Sequence, residues 1–171
     1  EATLTNLLEE PSVQGVVVNV RDVSTRKELQ RRLTDLAFFD KLTGLPNRAA
    51  FMDRLEQATA RARRHDTQIA VLFVDLDAFK TVNDSHGHAM GDTLLARVGE
   101  RLRFCIRRED TVARLGGDEF TVLLEDLAFP QDTLIIADRI VEAHKAPFVV
   151  KQRELLVTAS VGIASCSTES P

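Results

Sequence analysis

The fold class predicted is α/β, of the α+β kind, with several neighbouring strands antiparallel. Three observations carry it. Amphipathic helical segments are separated by short runs rich in β-branched residues. Gly116-Gly117 stands between two such runs and reads as a two-residue hairpin loop. Two more runs near the end of the chain flank a turn at Lys151-Gln152-Arg153-Glu154. Strands joined so tightly pair antiparallel, whereas strict β–α alternation would give a parallel sheet.

Taken in order, Val13–Ser24 (VQGVVVNVRDVS) alternates β-branched residues and predicts a strand. Thr25–Phe39 follows as a charged helix with a narrow seam at Leu29, Leu33 and Leu36, the pattern of a short coiled coil. Gly44 and Pro46 break the chain, and Asn47 is placed to cap a helix running to about Arg64, with Phe51, Leu55, Ala58 and Ala62 on one face. Gln68–Asp75 (QIAVLFVD) is a continuous apolar run, expected as a central strand buried on both faces. After a polar connector, Ala89–Ile106 predicts a long helix through Leu94, Val98, Leu102 and Cys105. Asp110–Glu125 supplies the Gly-Gly hairpin. Asp132–Lys145 is helical, with Leu134, Ala137, Val141 and His144 in phase, and Pro147 ends it. Phe148–Ser165 reads as two strands around the Lys-Gln-Arg-Glu turn.

A chain of 171 residues predicts one domain with an appendage. Its 44% hydrophobic and 28% charged residues are those of an ordinary globular protein. With 22 basic against 26 acidic residues the net charge is −4, which argues against a nucleic-acid partner held by bulk positive charge. Cys105 and Cys166 have neither metal nor redox spacing and are expected as reduced thiols of a cytoplasmic protein. No apolar run approaches the ~18 residues of a membrane span, although an upstream anchor is compatible with the chain. It opens at Glu1 without an initiator Met, so a fragment of a longer protein is expected.

Acids stand at two predicted strand ends: Asp75, with Asp77 close behind, and Asp118-Glu119. If those strands are neighbours, their carboxylates converge. Two such charges ~4 Å apart repel by roughly 4 kcal/mol at an effective dielectric near 20, a large share of the ~5–15 kcal/mol that stabilises a domain. Raised pKa values or a cation must relieve them, and hard oxygen donors suit Mg²⁺ or Mn²⁺ rather than zinc. Mg²⁺ held by carboxylates shares its remaining positions between water and substrate phosphate. Gly116 and Gly117 would let an anionic ligand lie against backbone N–H groups; the plain alternative is a hairpin turn with exposed acids. Lys80 can neutralise phosphate charge. Asn83 and Asp92 could select guanine, whose N1–H and N2 amine present adjacent donors to a carboxylate; alternatively they cap helices. His86 and His88 are read as packing a loop rather than binding metal.

Four stretches, DKLTGLPNR, DLDAFKTVNDSHGHAMGD, RLGGDEF and VTASVGIA, resemble in order and spacing the GGDEF diguanylate cyclase domain over about residues 37–165. The resemblance implies a fold like the palm of nucleotide cyclases and polymerases, with a mostly antiparallel central sheet flanked by helices. It implies condensation of two GTP molecules into cyclic di-GMP with release of two pyrophosphates. Asp75, the Leu76 carbonyl and Asp118 match the Mg²⁺ ligands, Asp118 also the group receiving the ribose 3′-hydroxyl proton. Glu119 matches a second essential acid, Lys80 the group that stabilises phosphoryl transfer, and Asn83 and Asp92 the guanine contacts. One site holds one GTP, so a homodimer is implied. Arg107 and Asp110 match the family's RxxD site for inhibition by product.

Residues 1–24 resemble the end of a PAS sensor domain and 25–36 its signalling helix, leaving 37–171 as the GGDEF domain. Family members continue past ASVGIAS with a helix and a Lys/Arg segment that contacts GTP phosphates, so phosphate ligands and an edge strand are expected beyond Pro171. A second function class stays open: a non-catalytic module that binds GTP or cyclic di-GMP and regulates a neighbouring domain.

Overall fold

A computed structural model describes residues 2–7, 9, 12 and 15–166. The chain divides into two compact units between Leu36 and Ala37. In the first, β1 (Ala2–Leu7) and β2 (Gly15–Val20) form an antiparallel hairpin, Ala2 opposite Val20, and α1 (Ser24–Phe38) follows. The Ser24 N–H donates to Asp22 Oδ1 at 2.8 Å, which fixes the chain as it enters the helix. Hydrogen bonds from Ser24 hold the Asp22 carboxyl below its ordinary pKa. Leu29, Leu33 and Leu36 are all exposed along α1.

The second unit opens with α2 (Arg48–His65). Asn47 caps it by accepting from the Ala50 N–H at 3.1 Å, and Asp66 ends it in the left-handed region at φ 53°. There follow β3 (Gln68–Leu76), α3 (Phe79–His86), α4 (His88–Cys105), β4 (Thr111–Gly116), β5 (Glu119–Leu127), α5 (Gln131–His144), β6 (Phe148–Val150), β7 (Arg153–Leu155) and β8 (Ala159–Cys166). The central sheet has the order β4-β5-β3-β8, antiparallel throughout. On one face Leu72 and Val74 of β3 and Phe120 and Val122 of β5 join a core with Leu94, Val98 and Leu102 of α4 and Ile136 and Ile140 of α5. On the other face Phe51, Ala58 and Ala62 of α2 cover Ile69, Ala113 and Leu123. β5 is therefore buried on both faces from Phe120 to Leu124. That is why its run is apolar once the two acids have passed, save for Thr121, whose hydroxyl donates to the Leu72 carbonyl at 3.1 Å.

The expected α/β class and antiparallel central sheet are what the structure has, with differences of detail, the first being that β3, expected to be buried on both faces, leaves Phe73 50% exposed. The strand expected over Val13–Ser24 is β2, which ends at Val20 rather than Ser24 and has β1 as its hairpin partner; Val13 lies outside the described residues. The polar connector after β3 contains α3, whose only buried residue is Phe79, so its apolar signal is short. Phe148–Ser165 is a small hairpin, β6–β7, turning at Lys151-Gln152, plus the separate strand β8 on the central sheet. Both turn residues sit at positive φ, 48° and 64°, as a two-residue hairpin requires. Finally, α5 buries Thr133, Ile136, Ala137, Ile140 and His144, while Leu134 is 57% exposed. LIIADRIV offers two apolar stripes, and the sheet takes the one through Ile136 and Ile140.

Ile140→Ala is accordingly expected to lower the unfolding free energy by about 2–5 kcal/mol, and Leu134→Ala by no more than about 0.5 kcal/mol. Urea unfolding of the two variants checks the phase; equal losses would contradict it.

Candidate active site

The β3–β5 register builds the centre of the site. Asp75 lies directly opposite Glu119, one pair beyond Val74 and Phe120, and its other neighbour is Ser160 on β8. Opposed residues of an antiparallel pair have Cα atoms about 4.5–5.5 Å apart, so the two acidic strand ends meet. Asp118 precedes Glu119 in the hairpin turn and is half-buried, whereas Asp75 and Glu119 are exposed. Leu76 ends β3 opposite Ala159 with its side chain in the core. Asp75, Leu76, Asp118 and Glu119 thus stand at one end of the sheet.

Because Gly116 pairs with Glu119, the two-residue loop is Gly117-Asp118 rather than Gly116-Gly117. The glycines sit at φ 147° and 54°, and a Cβ on either would meet nothing within 4 Å. Backbone conformation requires them, and the space before them is open.

Arg114 holds this turn. Its Nε and Nη2 donate to the Gly117 carbonyl at 3.0 and 2.7 Å, and its Nη1 lies 3.0 Å from both Asp40 carboxylate oxygens. Asp40 also accepts from the Thr43 N–H at 2.9 Å and hydroxyl at 2.7 Å. Burial pushes the Asp40 carboxyl up, but the Thr43 bonds and the Arg114 guanidinium outweigh it and hold the group below the usual carboxylate range. The motifs contain both residues, DKLTG and RLGGDEF, but spacing gives no sign that two segments so far apart in sequence share an ion pair.

Asp77 is tied to the start of β8. Its carboxylate accepts from Thr158 Oγ1 at 2.5 Å and Ser160 Oγ at 2.8 Å, and its N–H donates to the Thr158 carbonyl at 2.9 Å. The two hydroxyls keep its carboxyl below the ordinary value. Ala78 then takes φ 56° and α3 begins, with Lys80 exposed and Asn83 half-buried. Asn83 lies against Gly91 of α4, one residue before the exposed Asp92. His86 and His88 are exposed, and among the described residues no three His, Cys, Asp or Glu side chains gather as a metal site. Cys105 is buried and free, its thiol pushed up by burial; the side chain of Cys166 lies outside the described residues.

Arg107 and Asp110 share a cavity of about 340 Å³ with Arg54, Arg103 and Arg108. The Arg107 N–H donates to Asp110 Oδ2 at 3.0 Å. Burial raises the Asp110 carboxyl despite this bond and one from the Glu125 N–H.

Asp40→Asn is expected to lower the unfolding free energy at pH 7 by about 1.5–3 kcal/mol, the range for hydrogen bonds to a charged group. A carboxyl whose folded pKa is depressed stabilises above its unfolded value, ~3.9, and loses that contribution as pH falls through the folded value. The gap between parent and variant in urea titrations should therefore hold steady from neutral pH and close only in acid. A gap that widened in acid would contradict the geometry.

Comparison with known proteins identifies the family of the second unit. The family described as diguanylate cyclase, GGDEF domain, matches residues 37–171. The bifunctional diguanylate cyclase/cyclic di-GMP phosphodiesterase MucR of Pseudomonas aeruginosa is 49% identical over 134 residues, which are 78% of this chain and 19% of MucR. The diguanylate cyclase TpbB of the same organism is 48% identical over 133 residues, 77% of this chain and 31% of TpbB. The cyclic di-GMP phosphodiesterase NbdA is 44% identical over 132 residues, 77% of this chain and 17% of NbdA. The chain thus spans less than a third of the length of each of these relatives. Among solved structures, the GGDEF domain of TpbB superposes with a TM-score of 0.71 at 48% identity, covering 72% of this chain and 77% of that one. The coiled coil and GGDEF domain of DgcB from Caulobacter crescentus, solved with c-di-GMP, gives 0.76 at 28% identity, covering 86% and 79%. With four-fifths of its length matched by one family and the sheet of its solved members, this chain belongs to the GGDEF diguanylate cyclase domains.

Proposed function

We propose that the unit from residue 37 onward condenses two GTP molecules into cyclic di-GMP, releasing two pyrophosphates, with one GTP on each of two facing copies. The observation that carries this is the register that sets Asp75 opposite Glu119 beside Asp118. The donors fit a hard divalent ion. Asp75, Asp118 and the Leu76 carbonyl offer oxygen alone, and so small a protein set suits a cation that shares its coordination with phosphate and water. Bound there, Mg²⁺ or Mn²⁺ would neutralise triphosphate charge and acidify a hydroxyl in contact with it.

The remaining work falls to side chains. Asp118 receives the 3′-hydroxyl proton, and Glu119 adds the second carboxylate beside it. Lys80, exposed at the start of α3, meets the charge that develops on the phosphate oxygens. Asn83 and Asp92 take the guanine edge and so fix the nucleotide's position, which is most of what such an enzyme must do. The turn of Gly116 and Gly117 leaves room for the ribose and phosphates. Arg107 and Asp110, lining one cavity with three further arginines, form the inhibitory site for the product.

In the same reading residues 1–24 are the end of a PAS sensor domain and 25–36 the signalling helix. The hairpin, the Asp22-anchored helix start and the exposed leucines support it. A second reading, a non-catalytic regulator of an adjoining domain, is favoured by the likeness to NbdA.

Chromatographic assay of cyclic di-GMP after incubation with GTP and Mg²⁺ decides between the two. Asp118→Asn is expected to abolish product while the protein stays folded; substantial residual turnover would refute the assignment. Arg107→Ala is expected to abolish micromolar cyclic di-GMP binding in calorimetry, and an unchanged titration would refute the inhibitory site.

A further inference from the structure

Gly91 is the fourth residue of α4, buried and in ordinary helical backbone. Nothing in its own conformation calls for glycine, which is a poorer helix former than alanine. The reason lies in what faces it. A Cβ built on Gly91 would stand 2.0 Å from Asn83 Oδ1, 3.0 Å from Asn83 Cγ and 3.1 Å from Phe79 Cζ. The Asn83 amide is therefore seated on bare helix backbone, next to the residue that carries Asp92.

Of the two neighbours, Phe79 is fixed in the core at 8% exposure, while Asn83 is half-buried at the end of a short, rotatable side chain. A methyl group at position 91 would leave the helix intact and displace the amide. From this juxtaposition we infer that Gly91 is a specificity-determining position for the nucleotide base. Its missing side chain holds the Asn83 amide beside Asp92, so that the two present one edge to guanine. The inference rests on the guanine reading above and deepens it. Gly91 touches no substrate itself and acts through Asn83. The helix's other glycine beyond it, Gly99, faces Leu45 Cδ1 at 3.0 Å and Thr43 instead, and makes the packing control.

The experiment compares the chain with Gly91→Ala, Asn83→Ala, the double variant and Gly99→Ala. Each is titrated calorimetrically with GTP and with ATP in Mg²⁺, and the Asn83 side-chain amide is followed by NMR without nucleotide. In Gly91→Ala the Asn83 amide resonances should shift and GTP affinity should fall several-fold, up to about tenfold, the worth of one hydrogen bond. The preference for GTP over ATP should fall by the same factor. In the Asn83→Ala background the substitution should cause no further loss of GTP affinity. Gly99→Ala should keep the GTP preference of the parent. Unmoved Asn83 resonances, an unchanged GTP preference in Gly91→Ala, or additive losses in the double variant would overturn the role of Gly91 alone. A parent chain that binds GTP no better than ATP would overturn the guanine reading, and this role with it.

Discussion

The antiparallel pairing of β3 with β5 is the constraint on which the rest depends. Side chains alternate faces along a strand, so a slip of one residue would carry Asp75 and Glu119 to opposite sides of the sheet. The register is held by the core: Leu72 opposite Val122 and Val74 opposite Phe120, all essentially excluded from solvent, admit no such slip. Hydrophobic packing thereby fixes the place of charges that packing alone would never bring together.

Around that pairing the polar contacts act as local ties. Arg114 joins the Gly117 carbonyl to Asp40, and Asp77 joins the end of β3 to the hydroxyls of Thr158, just ahead of β8, and Ser160 within it. Both carboxylates are satisfied and held below their ordinary pKa. Asp75 and Glu119 have a different character. They stand exposed and directly opposite one another at the end of the sheet. Acids that serve structure are tied to hydroxyl, N–H or guanidinium groups, whereas the role proposed for these is to meet a cation and a triphosphate.

Much of this was legible in the residues themselves. α2 and α4 have single apolar stripes, at Phe51–Ala58–Ala62 and Leu94–Val98–Leu102, and each stripe is the face that packs. The acids bounding the β3 and β5 runs marked where the strands would end. Other features were hidden for physical reasons. α3 is one turn of buried contact in a polar segment. α5 has two competing stripes, and only the sheet beneath decides between them. β6, β7 and β8 follow one another so closely that periodicity cannot divide them. Of the site, the residue types could be named in advance, but the Arg114–Asp40 tie and the seat of Asn83 on Gly91 join segments that spacing alone does not connect.

The central claim is that the strand tips form one pocket for a divalent ion bearing a guanine nucleotide. Paramagnetic broadening by Mn²⁺ tests it most directly, with amide NMR signals followed in the presence of a non-hydrolysable GTP analogue. The account predicts selective loss of signals from Leu76, Asp77, Gly117, Asp118 and Glu119, while the far end of α5 around His144 stays sharp. Broadening centred elsewhere, or tips that keep their signals at saturating ion and nucleotide, would contradict it.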